Sequence, residues 1–258
     1  MYHLQPIGLE ATRALLARRE GLSSAPSMFR KLGEAVVILT ERPFLFSAII
    51  LTVWLPGNVL VDYLGHYVLH SEDLFKQIRV TMWIETIFGP IYIGAMVYAL
   101  ARLKEGRDVS YLEAIAVGFK NWGRLFAARF VAGLLIVLGL VALIVPGIVL
   151  LVRYALLDCV VVLEGAPTTT ARARSTLLTA GRRWQIFWAA VVFICAFIAL
   201  SLLVYFPQSL AEQLNVMAYD VVADCFSDLA FAVIQITMFL FYWEARTDQP
   251  NPVLAEAK

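Results

Sequence analysis

The sequence predicts an all-α polytopic membrane helical bundle, with six transmembrane helices and amphipathic surface helices on the cytoplasmic side. Two features of its composition support this fold class. Hydrophobic residues make up 60% of the 258-residue chain and the mean hydropathy is +0.75. Only 16% of the residues are charged, against about 25% in ordinary soluble domains. A soluble core of this size needs a charged shell, and this composition is too poor in charge to supply one.

Six apolar runs separate the polar stretches, and a run of about 20 apolar residues crosses a bilayer. Pro56 is expected to kink or end the first run early, because proline removes a helical hydrogen bond. Pro146-Gly147 is expected to turn the third run into the fourth. The predicted spans are residues 43–64, 80–102, 124–145, 148–163, 184–206 and 219–243.

The polar stretches beside the spans contain amphipathic helical patterns, which favour helices lying in the membrane surface. One such pattern covers residues 28–39, a second runs from a capping box at Ser110 to Gly123, and a third lies within 167–181. The predicted organisation has three parts: an N-terminal cytoplasmic segment (1–42), a six-span domain (43–243) and a mobile cytoplasmic tail (244–258).

The basic residues indicate the orientation of the spans. Eighteen of the 21 lysines and arginines fall in the N-terminal, C-terminal and two internal segments that six spans place on one side. Lys76 and Arg79 lie on the other side. Because basic loops stay in the cytoplasm, we expect a bacterial inner-membrane protein with both termini cytoplasmic. A rival topology, with one span at 130–152, would move four arginines outside and is disfavoured by this count.

Charged residues inside the spans are the best functional candidates, because each is costly to insert into a membrane. Arg153, Glu85 and Asp224 are each predicted about 8–10 Å from the non-cytoplasmic end of their spans. Asp228 lies one turn from Asp224 on the same helical face. We therefore expect a polar cluster of these four residues. It can serve as a site for a headgroup, ion or proton, or as an ion-pair network that fixes packing.

Three further features carry expectations about position. Arg129 is expected opposite Glu164 across the hairpin at Pro146-Gly147, and Asp158 has no assignable partner. Small residues at 95, 99, 128 and 132 would let helices approach closely. The basic segment after the fourth span is expected either to act only as a topological signal or to contact anionic lipids. Its arginines are Arg172, Arg174, Arg182 and Arg183.

No cofactor, metal site or catalytic residue is predicted. His66 and His70 are four residues apart, as in some zinc sites, but the spacing alone is a weak signal for zinc. Because the surrounding loop is polar, an exposed pair of histidines is expected. The three cysteines lie in apolar runs without paired spacing and are expected to be buried small hydrophobes. The positive and negative charges nearly cancel, so nothing favours a nucleic-acid partner.

The segment around the fourth span carries a family resemblance. The pattern consists of Pro146-Gly147, then Glu164-Gly165, then a stretch from Arg174 to Trp184. This pattern resembles the membrane domain associated with glycerophosphoryl diester phosphodiesterases. The resemblance implies a six-helix, lipid-related module. It does not imply the hydrolytic activity, because that belongs to a separate soluble barrel for which this chain has no room.

The function these features favour is non-enzymatic: a lipid-associated transport or membrane-organising module. Two alternatives remain open. One is a membrane-embedded enzyme that uses intramembrane carboxylates on a lipid headgroup. The other is a packing subunit of a larger membrane complex. The expected partners are membrane lipids, with other membrane proteins or a second copy of the chain as further partners.

Overall fold

A computed structural model describes residues 27–64, 74–205 and 216–249, and every regular element in these ranges is a helix. The chain is all-α, as predicted. The helices are, in order, α1 (Ser27–Glu41), α2 (Pro43–Tyr63), α3 (Leu74–Lys104), α4 (Tyr111–Ala142), α5 (Ile144–Tyr154), α6 (Leu157–Leu163), α7 (Thr168–Leu178), α8 (Arg183–Tyr205) and α9 (Val216–Asp248).

Six segments of the described residues are helical, long and apolar enough to cross a membrane, which matches the predicted number. Five of them belong to α2, α3, α4, α8 and α9, and the sixth, Ile144–Leu163, consists of α5 and α6. Large apolar side chains are exposed on all of these helices except α6. An apolar exterior of this kind suits a bundle whose solvent is lipid.

The core of the bundle forms where α3, α4, α6 and α9 meet. The fully buried side chains there include Met96, Leu125, Val160 and Phe239, one from each of these helices. The small residues also behave as expected, since Ala95, Ala99 and Ala128 are completely buried and Ala132 is 4% exposed. Small side chains at these positions allow the helix backbones to approach.

Helices α3 and α4 approach each other closely in the core. A Cβ atom at Gly118 would lie 2.3 Å from the carbonyl oxygen of Ile91 and 3.1 Å from the amide nitrogen of Ala95. Gly94 faces the same crossing, with its Cβ position 3.1 Å from the Cα of Gly118. Only glycine at position 118 permits this packing, because the atoms in the way belong to backbone.

The α4–α5 hairpin turns at Leu143, three residues before the predicted Pro146-Gly147 turn. Leu143 is extended (φ −161°, ψ 140°), and helix α5 begins at Ile144 with Pro146 in its first turn. Proline fits there because the first amides of a helix have no partner. Gly147 instead lies within α5, where a Cβ would come 2.7 Å from the backbone nitrogen of Leu140. The glycine therefore allows close packing of the hairpin.

Several predicted boundaries are wrong for related reasons. The expected surface helix at 110–123 is the start of α4, because Gly123 alone does not break a helix. Helix α2 runs through Pro56 to Tyr63. The fourth span is broken between Tyr154 and Leu157 into α5 and α6. Because α4 ends at Ala142, the rival single span at 130–152 is excluded.

Two short helices, α1 and α7, pack against the longer ones. Helix α1 contacts α9 through the buried Lys31 and Ala35. Helix α7 packs on α4, α5 and α6. At the start of α4, Ser110 caps the helix as predicted, because its side chain accepts a hydrogen bond from the Glu113 amide at 3.2 Å. Helices α2, α4 and α8 begin at one end of the bundle, and α3 and α9 terminate there. We call this the basic end.

Candidate functional site

A cavity of about 310 Å³ lies between α2, α3, α4, α8 and α9. Three charged side chains line it: Glu85 from α3, Arg129 from α4 and Asp228 from α9. The structure therefore brings two of the four predicted cluster residues together. The cation beside them is Arg129, for which the sequence predicts a position opposite Glu164.

Arg129 is held by an ion pair with Asp158 of α6, at 2.8 Å between Nη1 and Oδ2. The Asp158 side chain is 17% exposed and that of Arg129 is 42% exposed. The arginine thus keeps part of its surface on the cavity while the carboxylate is mostly enclosed. The prediction that Arg129 faces Glu164 is wrong, because the turn lies at Leu143. Moving the turn shifts the partner by about two helical turns, to Asp158.

The two cavity carboxylates have different surroundings. Asp228 accepts a hydrogen bond from the side-chain amide of Asn58, at 2.8 Å between Nδ2 and Oδ2. Glu85 makes no hydrogen bond or ion pair within the described part of the chain, although its charge interacts with that of Arg129. One carboxylate is therefore oriented by a neighbouring helix, and the other is available to a ligand.

Aromatic side chains form much of the remaining cavity wall. Trp54 of α2 and Tyr92 of α3 meet edge to face, with ring centroids 5.5 Å apart. Phe231 of α9 lies edge-on to Phe197 of α8, with centroids 6.0 Å apart. The carboxylates are thus bordered by aromatic rings from four helices.

Arg153 does not line this cavity. The predicted grouping with Glu85 and Asp228 is therefore corrected: Arg153 lies beside α7, where its backbone carbonyl accepts a hydrogen bond from Ser175 Oγ at 2.8 Å. Its Nε atom is buried and has no hydrogen-bond partner in the described residues. Arg153 and Asp158 are five residues apart, which places them about 140° apart around a helix, so the two side chains face different neighbours.

Asp224 lies one turn from Asp228 along α9, as the spacing predicts, and is half-buried. It is absent from the cavity wall, although its charge interacts with that of Asp228. The cavity therefore takes one aspartate from this face of α9.

Two of the four predicted lipid-contact arginines form ion pairs within the protein. Arg174 pairs with Glu164, at 3.2 Å between Nε and Oε2, and their side chains are only 15% and 1% exposed. Tyr242 Oη donates to the same glutamate at 3.3 Å. Arg182 forms ion pairs with Glu244 and Asp248 of α9. These contacts hold the segment that joins α7 and α8 against the C-terminal end of α9.

Within the described residues, the hydrogen bonds of the other two arginines go to backbone carbonyls. Arg172 Nε donates to the Thr168 carbonyl at 3.3 Å, and Arg183 Nη2 donates to the Thr176 carbonyl at 3.5 Å. Arg183 also borders an apolar groove between α5 and α8, next to the exposed Trp184. Their charges have no carboxylate partner among the described residues, so these two remain candidates for lipid phosphate.

No group of three histidine, cysteine or acidic side chains within the described ranges could hold a metal ion. His66 and His70 lie outside those ranges. All three cysteines are free: Cys159 is buried, Cys225 is half-buried, and Cys195 is exposed, contrary to prediction. An exposed position in an apolar helix faces lipid, which suits a small hydrophobic side chain.

Comparison with known proteins shows similarity to bacterial membrane proteins. A UPF0259 membrane protein of Yersinia pestis (strain Pestoides F) is 27% identical over 169 residues, or 66% of this chain and 64% of that protein. A UPF0259 membrane protein of Yersinia pseudotuberculosis (serotype O:1b, strain IP 31758) gives the same values. The match thus spans just under two thirds of these relatives' length. No known family profile and no solved structure matches the chain.

The chain is an integral membrane protein. The names of its relatives and its own six apolar helical segments agree on a multi-pass membrane protein. The resemblance to the glycerophosphoryl diester phosphodiesterase membrane domain is wrong, because the relatives carry the UPF0259 name and none carries that one.

Proposed function

We propose that this chain is a bacterial inner-membrane protein with both termini in the cytoplasm. We propose further that it acts as a non-enzymatic, lipid-associated transport or membrane-organising module, and that its cavity holds a small polar group. The single observation that carries this proposal is a polar cavity between apolar helices, lined by Glu85, Arg129 and Asp228. Charged side chains inside a membrane bundle commonly mark a binding site or pathway.

The size of the cavity supports a headgroup or small solute as its occupant. Its volume, about 310 Å³, is near the lower limit of about 300 Å³ for ligand pockets. It would hold on the order of ten waters at ~30 Å³ each. A whole lipid does not fit, whereas a polar headgroup does.

The orientation rests on the basic end of the bundle. Arg102 and Lys104 end α3, Arg182 and Arg183 precede or begin α8, and Arg246 lies in the last turn of α9. By their place in the sequence, most of the lysines and arginines belong to segments that join the spans on this side. Basic residues beside spans are retained in the cytoplasm, so this end is proposed to face it.

Membrane lipids are the partners proposed at the basic end. Arg172 and Arg183 are the strongest contacts for an anionic headgroup, since no described carboxylate neutralises them. A basic side chain near an anionic surface contributes about 1 kcal/mol to binding. Arg174 and Arg182 contribute less, because their carboxylate partners lie within the protein.

A packing subunit of a larger complex is the second candidate, and the surface available for a partner protein is on the α4–α5 hairpin. The α4–α5 hairpin exposes an apolar surface that includes Val141, Leu143, Ile144 and Val145, each 68–80% exposed. In a membrane this surface contacts either lipid or another protein. The ion pair between Arg129 and Asp158 would then fix helix packing only.

Native mass spectrometry of the purified full chain tests these readings. We expect the wild-type protein to retain a small molecule or a lipid, and Glu85→Gln and Asp228→Asn to lose it while keeping their size-exclusion profile. Glu105→Gln, in an exposed loop pair with Arg107, is the matched control. Equal retention by all variants contradicts the cavity proposal, and co-purification of a stoichiometric partner protein supports the subunit role.

A further inference from the structure

The cavity carries an excess of negative groups. Arg129 is already paired with Asp158 at 2.8 Å, so its charge is largely used within the protein. Two carboxylates, Glu85 and Asp228, remain on the wall with no described basic partner of their own. The neutral amide of Asn58 orients Asp228 and leaves its charge uncompensated. An occupant that brings positive charge would balance this wall.

The aromatic wall selects among possible cations. Trp54 and Tyr92 meet edge to face at an interplanar angle of 63°, and Phe197 and Phe231 do so at 81°. An edge-to-face pair leaves ring faces free for a third group, and the negative face of an aromatic ring attracts cations within about 6 Å. Aromatic rings around an ammonium group are a common mode of recognition for quaternary amines.

A metal cation fits this wall less well. Calcium requires six to eight oxygen ligands, and magnesium requires octahedral oxygen coordination. Apart from Glu85 and Asp228, the oxygen-bearing side chains on the wall are Tyr92, Ser227 and Gln235, and the rest is largely aromatic or aliphatic. The described residues also contain no metal-binding cluster of three His, Cys or acidic side chains.

We infer that the cavity binds an alkylammonium group, held between the carboxylates of Glu85 and Asp228 and the rings of Trp54, Tyr92 and Phe231. The group is carried either by a lipid headgroup or by a free organic amine. This inference rests on the proposed function, because it assigns a ligand class to the same cavity. In the lipid case, the exposed part of Arg129 is positioned to meet the headgroup phosphate.

Equilibrium titration of the purified full chain in detergent provides the test. The separate probes are choline, ethanolamine and inorganic phosphate, and the readout is tryptophan fluorescence. We expect saturable quenching by the two amines and none by phosphate. Trp54→Phe should remove most of the quenching, because this tryptophan lines the cavity. Asp228→Asn and Glu85→Gln should each weaken amine binding about tenfold.

Nanodiscs distinguish the two sources of the amine. If the group belongs to a lipid, phosphatidylethanolamine discs should compete with free choline for the cavity, while phosphatidylglycerol discs should not. If it belongs to a free amine, both disc types should leave the choline titration unchanged. Either result supports alkylammonium recognition.

The outcomes also separate this inference from the broader proposal. Saturable binding of phosphate alone, lost in Arg129→Gln, would overturn the ammonium assignment and retain a polar-ligand cavity. Absence of binding by every probe, with no molecule retained in native mass spectrometry, would overturn both. The wild-type titrations decide between these outcomes even where a cavity variant fails to fold, and Glu105→Gln should bind like the wild type.

Discussion

Arg129 Nη1 of α4 and Asp158 Oδ2 of α6 lie 2.8 Å apart, and this ion pair joins the long helix of the hairpin to a deeply buried segment. The residues from Leu156 to Val161 are, apart from Asp158, no more than 3% exposed. A charge in such a segment needs a partner, because an isolated ion is costly to bury. The pair therefore fixes the position of α6 in the bundle and places Arg129 at the cavity.

Removing either charge should destabilise the bundle. We expect Asp158→Asn or Arg129→Met to lower the free energy of unfolding by about 2 kcal/mol, since each leaves the other charge without its partner. The double variant should recover part of that loss. Unfolding in mixed micelles measures the difference, and Arg107→Met, in an exposed pair, is the control. Additive single losses would contradict a direct interaction.

The α3–α4 crossing makes Gly118 the most sensitive glycine of α4. Gly118→Ala places a methyl group 2.3 Å from the Ile91 carbonyl, so we expect a loss of stability of about 3 kcal/mol. The matched control is Gly123→Ala, whose Cβ has no neighbour within 4 Å and which should be neutral or stabilising by up to ~1 kcal/mol. Thermal unfolding in detergent compares them, and equal melting temperatures would refute this packing.

Lys31 should anchor α1 to α9. It is 3% exposed, forms an ion pair with Glu244 and lies 4.7 Å from the ring centroid of Phe241. In a background without the native cysteines, Lys31→Met should increase maleimide labelling of Ala35→Cys, which is fully buried, by about tenfold. The neighbouring Arg30→Met should leave labelling slow, because Arg30 is exposed. Equal rates would show that other contacts hold α1.

Cysteine accessibility in cells should show the orientation. In the same cysteine-free background, Ala173→Cys in α7 should be protected from a membrane-impermeant reagent, and Gln208→Cys should be labelled. This follows from the retention of basic segments in the cytoplasm. Permeabilised cells, in which both positions react, supply the control. The reverse pattern would overturn the proposed orientation.

The arginines at the basic end should fall into two groups, one that stabilises the fold and one that binds anionic lipid. Arg174→Gln should reduce stability by about 3 kcal/mol, because Glu164, 1% exposed, loses its charged partner. Arg183→Gln should preserve stability and reduce retention of anionic lipid in native mass spectrometry. Unchanged lipid retention in Arg183→Gln would mean that this arginine acts only through the Thr176 carbonyl.

Much of the bundle follows from local sequence. Apolar runs long enough to cross a bilayer predict the six spans, since no charged shell is available and each helix satisfies its own backbone hydrogen bonds. The capping box at Ser110 and the small residues on α3 and α4 also behave as their chemistry requires. Helices α2 and α4 continue through Pro56 and Gly123, where the sequence suggests an end, because tertiary packing can carry a helix through a weak breaker.

The candidate site depends on which charged side chains meet in space, and the helical periodicity of the sequence does not determine this. The sequence alone determined that the chain is an apolar helical bundle with costly charges in its spans. The tertiary structure decided which charges meet: a turn at Leu143 brings Arg129 to Asp158, whereas Arg153 lies beside α7 and outside the cavity. A three-residue change in one turn moves an antiparallel partner by almost two helical turns, so the grouping of charges is set by turn geometry rather than by residue type.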